Sequence, residues 1–146
     1  MKLSCTILFL ALSLFASAQN DEAAVKQTLE KLFTAMGTGD SASAAVLFAP
    51  NARLQSVYKL KTGEIKLDEE KVSEFMHQIG AKKPEETYDE RIKSWEIRTD
   101  GELATAWTPY EFYHNGKFSH SGVNAFQLVK LDGHWKILQI TDTRRR

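Results

Sequence analysis

Three turn dipeptides in the second half of the chain constrain its fold more than any other feature of the sequence. Asp100-Gly101, Asn115-Gly116 and Asp132-Gly133 each separate two runs of strand-forming residues. These dipeptides favour tight hairpins, because both turn residues must adopt a positive φ angle. Three successive hairpins predict a four-stranded antiparallel meander with strands at Tyr88–Arg98, Leu103–His114, Lys117–Leu131 and Trp135–Thr143.

The first half of the chain shows the period of amphipathic helices instead. A helix predicted to begin after Asp21 has one apolar face, formed by Val25, Leu29, Leu32, Phe33 and Met36. A short second helix is expected after Asp40, a strand hairpin over Arg53–Leu67, and a third helix after Asp68. This order predicts an α+β fold, in which three N-terminal helices pack on one face of a strongly bent antiparallel sheet.

The N-terminus has the layout of a secretory signal peptide. Met1-Lys2 supplies a positive charge, Leu3–Phe15 is almost wholly apolar, and Ala16-Ser17-Ala18 fits an A-x-A cleavage site. The apolar run is shorter than the roughly 20 residues of a transmembrane helix, so no membrane span is expected. We expect residues 1–18 to be removed, residues 19–146 to form a single domain, and the protein to be secreted or periplasmic. A buried N-terminal helix is the alternative interpretation.

Composition argues against several other classes of protein. The 19 basic and 19 acidic residues balance, which argues against nucleic-acid binding. The one cysteine, Cys5, lies in the signal segment, so neither a disulfide nor a thiolate metal site is expected. The sequence contains no helical pair of metal-binding histidines and no phosphate-binding loop, and it predicts a protein without a metal or a cofactor.

Four regions spread over the mature chain carry a family resemblance: Leu47–Leu54, Ala106–Tyr113, His120–Leu128, and Gly133–Ile137 continued by Asp142–Arg145. They are similar to the nuclear transport factor 2-like superfamily, in its SnoaL-like and putative lumazine-binding branch. The resemblance implies a cone-shaped, cystatin-like fold with a pocket between sheet and helices, and often a homodimer through the outer sheet face. This fold hosts isomerases, dehydratases, hydrolases and binding proteins, so the resemblance alone does not set the function. Ser121 stands where the branch often has cysteine, so thiol chemistry is not expected.

A two-residue turn at Asn115-Gly116 sets the expected pairing of the two strands that it joins. It places Glu111 opposite His120 and Trp107 opposite Asn124, on the face that we assign to the interior. The outer face then carries a set of apolar residues: Ala104, Ala106, Val123, Ala125 and Val129. Such an apolar face predicts coverage by a second copy of the chain.

Four residues are candidates for chemistry near the interior face. His120 is the candidate general base, and Glu111 or Asp142 is the carboxylate that orients it. The alternative is that Glu111 and His120 form an ion pair that only satisfies two half-buried groups, and that Asp142 pairs with a nearby arginine. Tyr110 would donate a hydrogen bond to a ligand oxygen if a bulge at Pro109 turned it inward.

A further set of side chains is expected to line the ligand pocket: Trp107, Asn124, Tyr113, Phe126 and Trp95. With these residues the sequence favours an exported protein that binds a small apolar or aromatic molecule. A cofactor-free isomerase, dehydratase or hydrolase with His120 as general base is the alternative. Simple packing in the core is the other interpretation of the aromatic residues.

The signal peptide makes a direct prediction about the mature protein. We expect N-terminal sequencing of material from the native host to begin at Gln19, because cleavage follows Ala18. An intact Met1 on soluble cytoplasmic protein would refute the predicted export.

Overall fold

The architecture is that of a computed structural model, which describes residues 4–145 and the side chains of residues 20–145. The helices are α1 (Ser4–Thr38), α2 (Ser41–Ala45) and α3 (Val72–Gly80). The strands are β1 (Phe48–Lys59), β2 (Ile65–Glu70), β3 (Tyr88–Ile92), β4 (Glu96–Asp100), β5 (Leu103–His114), β6 (Lys117–Leu131) and β7 (His134–Arg144). Helices that pack on a large curved sheet confirm the predicted α+β class.

The described strands form one sheet in the order β2-β1-β7-β6-β5-β3, and β4 also pairs with β5. All neighbouring strands run antiparallel except β1 and β7, which are parallel. The predicted meander is therefore present, but its first strand is divided into β3 and β4.

The division between β3 and β4 lies beside Pro109. β3 pairs with Tyr110–His114, and β4 pairs with Leu103–Trp107. Proline has no N–H to donate to a neighbouring strand, and the carbonyl of Pro109 accepts from the backbone N–H of Lys93 at 2.8 Å. Pro109 thus interrupts the edge pairing without forming the bulge that the sequence suggested there.

The predicted hairpin turns are confirmed in two places. Asn115-Gly116 adopts φ angles of 51° and 73°, and Asp132-Gly133 adopts 49° and 75°. In the β4–β5 hairpin Asp100 already pairs with Leu103, so the turn residues are Gly101-Glu102.

The register between β5 and β6 shifts by one residue at Ser119. Tyr113 pairs with Phe118, whereas Phe112 pairs with His120, so Ser119 is an extra residue in β6. A one-residue shift moves every side chain of a strand to the other face of the sheet. The predicted interior face of β5 is therefore wrong, while the predicted interior face of β6 is right.

Exposure of the side chains reflects this exchange of faces. Ala104 and Ala106, predicted on the outer face, are 1% and 2% exposed in the core. Trp107, predicted in the interior, is 48% exposed on the outer face. The outer face keeps its three predicted residues from β6, Val123, Ala125 and Val129.

The apolar face of α1 fills the core, as predicted from its periodicity. Val25, Leu29 and Leu32 are at most 1% exposed. Asp21 does not begin the helix, because the apolar segment before it continues the helix towards the N-terminus. Its carboxylate instead accepts a hydrogen bond from the ammonium group of Lys130 at 2.6 Å.

Of the other two predicted helix starts, the one at Asp40 is confirmed and the one at Asp68 is wrong. Asp40 caps α2, where its carboxylate accepts from the backbone N–H of Ser43 at 3.0 Å. Asp68 lies in β2 and accepts from the hydroxyl of Tyr58, so α3 begins later, after Lys71.

The side chains of the predicted signal peptide, residues 1–18, lie outside the described residues, and its cleavage stays a prediction. In residues 4–145 no helix has both the length and the apolar character of a membrane span.

Gly122 gives a test of this packing. A Cβ atom there would lie 1.7 Å from the carbonyl oxygen of Thr143 and 2.8 Å from the ring and hydroxyl of Tyr110. We expect Gly122→Ala to lower the free energy of unfolding by about 2 kcal/mol or more in urea denaturation, because backbone atoms must move. Ser121→Ala, at the neighbouring position, should change it little, and equal effects of the two variants would refute the close packing.

Candidate functional site

A cavity of about 460 Å³ lies between the helices and the inner face of the sheet. One part of its lining is apolar and consists of Leu32, Phe33, Met36, Leu54, Phe75, Phe112, Phe126 and Ile140. The other part is polar and consists of Gln55, Ser56, Tyr58, Asp68, Glu70, Gln78, Glu90, Tyr110, His120, Asn124, Asp142 and Arg144. Its volume falls in the range of small-molecule sites, which is roughly 300–1,000 Å³.

Aromatic contacts fix the apolar wall. Phe33 on α1 meets Phe126 on β6 edge to face, with ring centroids 6.1 Å apart. On its other side Phe33 meets Trp95, also at 6.1 Å. The rings of Phe33 and Phe126 line the cavity, so Trp95 supports this wall from behind rather than lining it.

Asp142 is the centre of a hydrogen-bond network at the polar end. It lies in β7 with Ser56 of β1 as its register partner, and the Ser56 hydroxyl donates to one carboxylate oxygen. The guanidinium of Arg144 donates to the other oxygen at 2.9 Å. Burial alone lowers the pKa of Arg144, but the hydrogen bond and charge of Asp142 outweigh it and hold that pKa above its usual value. The sequence-based alternative, that Asp142 pairs with an arginine, is therefore confirmed.

Tyr110 connects this network to the cavity. Its hydroxyl lies 3.3 Å from Asp142 and 3.1 Å from the carbonyl oxygen of Thr143, and its single proton serves one of them at a time. Burial raises the pKa of Tyr110, and the charges of Asp142 and Glu90 raise it further. The phenol is therefore a neutral hydrogen-bond donor at physiological pH.

Glu90 is a functional candidate that the sequence analysis missed. It lies in β3 opposite Phe112, and its Oε1 accepts from the side-chain amide of Asn124 at 2.7 Å. Burial raises the pKa of Glu90 to about 7, because the hydrogen bond from Asn124 only partly offsets it and the charge of Asp142 adds to it. A carboxyl group with this pKa exchanges its proton near neutrality, as general acids and bases do.

The signal that would have found Glu90 is the alternation of β3. Residues 88, 90 and 92 are partly buried and residues 89 and 91 are exposed. An acidic residue at an inward position of such a strand is unusual and indicates a pocket.

His120 lies on the predicted inner face of β6. Its ring packs against Phe112 and Tyr110, with centroids 5.2 and 5.7 Å away, and its Nδ1 lies 3.0 Å from the hydroxyl of Ser119. The predicted pairing of His120 with Glu111 is wrong, because the bulge at Ser119 pairs His120 with Phe112.

Glu111 and two predicted ligand contacts lie on the outer face of the sheet instead. Glu111 pairs with Lys93 at 3.3 Å and accepts from the hydroxyl of Tyr113 at 3.2 Å. Tyr113 also stacks under the guanidinium of Arg91 at 3.9 Å. Together with Trp107, these side chains lie on the opposite side of the sheet from the cavity, whereas the predicted contacts Asn124 and Phe126 line it.

Within residues 20–145 no three His, Cys, Asp or Glu side chains are grouped to hold a metal ion. The carboxylates at the polar end are held by hydroxyl, amide and guanidinium groups instead. The site as described offers hydrogen-bond donors, titratable carboxyls and an apolar wall.

A family model described as putative lumazine-binding matches residues 20–141. No curated protein gives a significant match to the chain.

Solved structures with this fold include proteins of different description. The beta subunit of a putative aromatic-ring-hydroxylating dioxygenase from Novosphingobium aromaticivorans has a TM-score of 0.71 at 11% identity, and the match covers 88% of this chain and 91% of that chain. A putative scytalone dehydratase from the same organism has a TM-score of 0.67 at 12% identity, with 88% and 86% covered. A nuclear transport factor 2-like protein from Silicibacter pomeroyi has 0.61 at 19%, with 87% and 98% covered. At these identities the likeness confirms the fold and nothing further.

The raised pKa of Glu90 predicts a pH-dependent loss of stability. The folded protein keeps this proton up to about pH 7, whereas the unfolded chain releases it near 4.5, so stability is lost as the pH rises between these values. We expect Glu90→Gln to be more stable than the wild type, with an advantage that grows by about 2 kcal/mol between pH 5 and pH 8. Urea denaturation over this range measures it.

The matched control is Glu111→Gln, which removes a carboxylate from the outer face. Because Glu111 lies outside the cavity, this variant should lack the gain in stability that is expected for Glu90→Gln. The absence of that gain in Glu90→Gln would contradict the raised pKa of Glu90.

Proposed function

Since the chain belongs to the putative lumazine-binding family of nuclear transport factor 2-like proteins, we propose that it binds a small, largely apolar or aromatic molecule in the cavity between helices and sheet. The observation that carries this proposal is the cavity of about 460 Å³ with one apolar and one polar part. Small-molecule sites are concave and mostly apolar, with a few polar groups that orient the ligand.

The two parts of the lining would contact different parts of the ligand. The body of the ligand would pack against Phe33, Phe112 and Phe126, and each Å² of apolar surface that it buries stabilises the complex by about 25 cal/mol before the losses of association. Its polar group would meet Tyr110 and Glu90, since a polar group buried without a partner destabilises a complex.

A second candidate function is proton transfer, as in a cofactor-free isomerase, dehydratase or hydrolase. The observation that favours it is Glu90, whose pKa of about 7 suits a general acid or base, on a wall that also carries Tyr110 and His120. In this version Glu90 takes the place that the sequence analysis gave to Glu111, and His120 remains a candidate base. Turnover of a bound compound by the wild type, lost in Glu90→Gln without loss of binding, would favour catalysis.

We further propose that the protein is exported, on the basis of the signal-peptide layout of residues 1–18.

We also propose that it forms a homodimer through the outer face of the sheet. Leu103 and Trp107 are 51% and 48% exposed there, beside Val123, Ala125 and Val129. An aromatic side chain within an apolar patch is a common anchor of protein interfaces.

Light scattering tests the dimer. We expect the wild type at micromolar concentration to have twice the mass of one chain, and Trp107→Glu to reduce it to one, because a charge cannot be buried unpaired in the interface. Lys117→Glu, at the exposed end of β6, serves as the control and should remain dimeric. A monomeric wild type would contradict the proposal.

A thermal-shift screen tests ligand binding in the cavity. A true ligand at a hundredfold its dissociation constant should add about 2.7 kcal/mol of stability. Met36→Trp places a larger side chain in the lining and should abolish the shift, whereas Lys31→Trp on the exposed side of α1 should retain it. A shift that survives Met36→Trp unchanged would locate the ligand outside the cavity.

A further inference from the structure

The polar end of the cavity carries more negative than positive charge. Four carboxyl side chains line it, Asp68, Glu70, Glu90 and Asp142, whereas the lining contains one permanently charged base, Arg144. His120 is the other titratable base in the lining. The cavity therefore has an acidic end that faces an apolar wall.

Neutral groups, rather than bases, hold most of these carboxyls. Asn124 donates to Glu90 at 2.7 Å, Gln78 donates to Glu70, and the hydroxyl of Tyr58 donates to Asp68. Arg144 makes its ion pair with Asp142 at 2.9 Å, so its guanidinium is already bound to one of these carboxyls. Hydrogen bonds from neutral donors leave the charge of a carboxylate in place, and this charge attracts a cation.

Two of these carboxyls have raised pKa values, chiefly because they are buried. Burial raises the pKa of Glu70, the charge of Arg144 lowers it, and the charges of Glu74 and Asp142 raise it further. Glu90 responds in the same way to Asp142 and Arg144. A positive group brought to this end would stabilise both ionised carboxylates.

One oxygen of Glu90 is available for such a group. Asn124 donates to Oε1, and no donor to Oε2 occurs among the described residues. The aromatic rings of Phe112 and Phe126 lie in the same lining, and aromatic faces also attract cations.

We propose that the ligand of this cavity is a small organic cation, a protonated amine on an apolar or aromatic body. Its ammonium group donates to Glu90 at the acidic end, and its body packs on the aromatic wall. This inference rests on the proposed binding function and adds the charge of the ligand to it.

Three probes that share the naphthalene ring test whether the ligand is selected as a cation. They are the amine 2-(1-naphthyl)ethylamine, the alcohol 2-(1-naphthyl)ethanol and the carboxylate 1-naphthaleneacetate. We expect calorimetric titration of the full chain at pH 8 and low salt to show at least about tenfold tighter binding of the amine than of the alcohol, and the weakest binding for the carboxylate. Between pH 8 and pH 6 the dissociation constant of the amine should rise by up to about tenfold, because Glu90 takes up a proton. The alcohol should bind equally at both pH values.

Two variants with the same change of charge locate the effect. Glu90→Gln keeps an oxygen that accepts from Asn124 but loses the negative charge, and it should remove both the preference for the amine and its pH dependence. Glu111→Gln on the outer face should retain both. Retention of the preference in Glu90→Gln would overturn the assignment to Glu90.

The outcomes separate this inference from the proposed function. If the alcohol or the carboxylate binds as tightly as the amine, the ligand is not selected as a cation, while binding in the cavity stands. If none of the probes binds at millimolar concentration, the binding function is contradicted and the cation inference with it.

Discussion

The single extra residue at Ser119 decides what the cavity contains. It shifts the pairing of β5 and β6 by one position, so that Tyr110 and Phe112 face the helices on the same side as His120 and Asn124. Without this bulge Glu111 would replace these rings on the inner face. The aromatic wall and the polar end therefore both depend on one local departure from regular pairing.

The sequence predicts the features that depend on neighbouring residues, and it misses those that depend on pairing between distant strands. Turn dipeptides and helical periodicity are local, and they predicted two of the three turns, the buried face of α1 and the inner face of β6 correctly. The bulge was not predictable, because serine at position 119 carries no local signal for an unpaired residue. Glu90 was missed for a related reason: its strand has five residues, so its alternation is a short signal, and the pairing of β3 with β5 is what places Glu90 on the inner face.

The acidic end of the cavity is costly for folding and useful for binding. Burial destabilises the ionised form of a carboxyl such as Glu90. We expect an apolar residue in its place to give a more stable core. Functional sites commonly retain such groups, because activity requires what stability alone would remove. Asn124 and the network around Asp142 hold the polar groups in fixed positions, so that a ligand meets a preorganised surface.

The proposed site depends on a carboxyl group that titrates near neutrality in the wall of the cavity. Carbon-13 NMR of the side-chain carboxyls measures this directly, and the spectrum of Glu90→Gln assigns the resonance. We expect the resonance of Glu90 in the ligand-free protein to titrate with a midpoint of about 7. A midpoint near the ordinary value of 4.5 would show that Glu90 is solvated like a surface residue, and would contradict the proposed site.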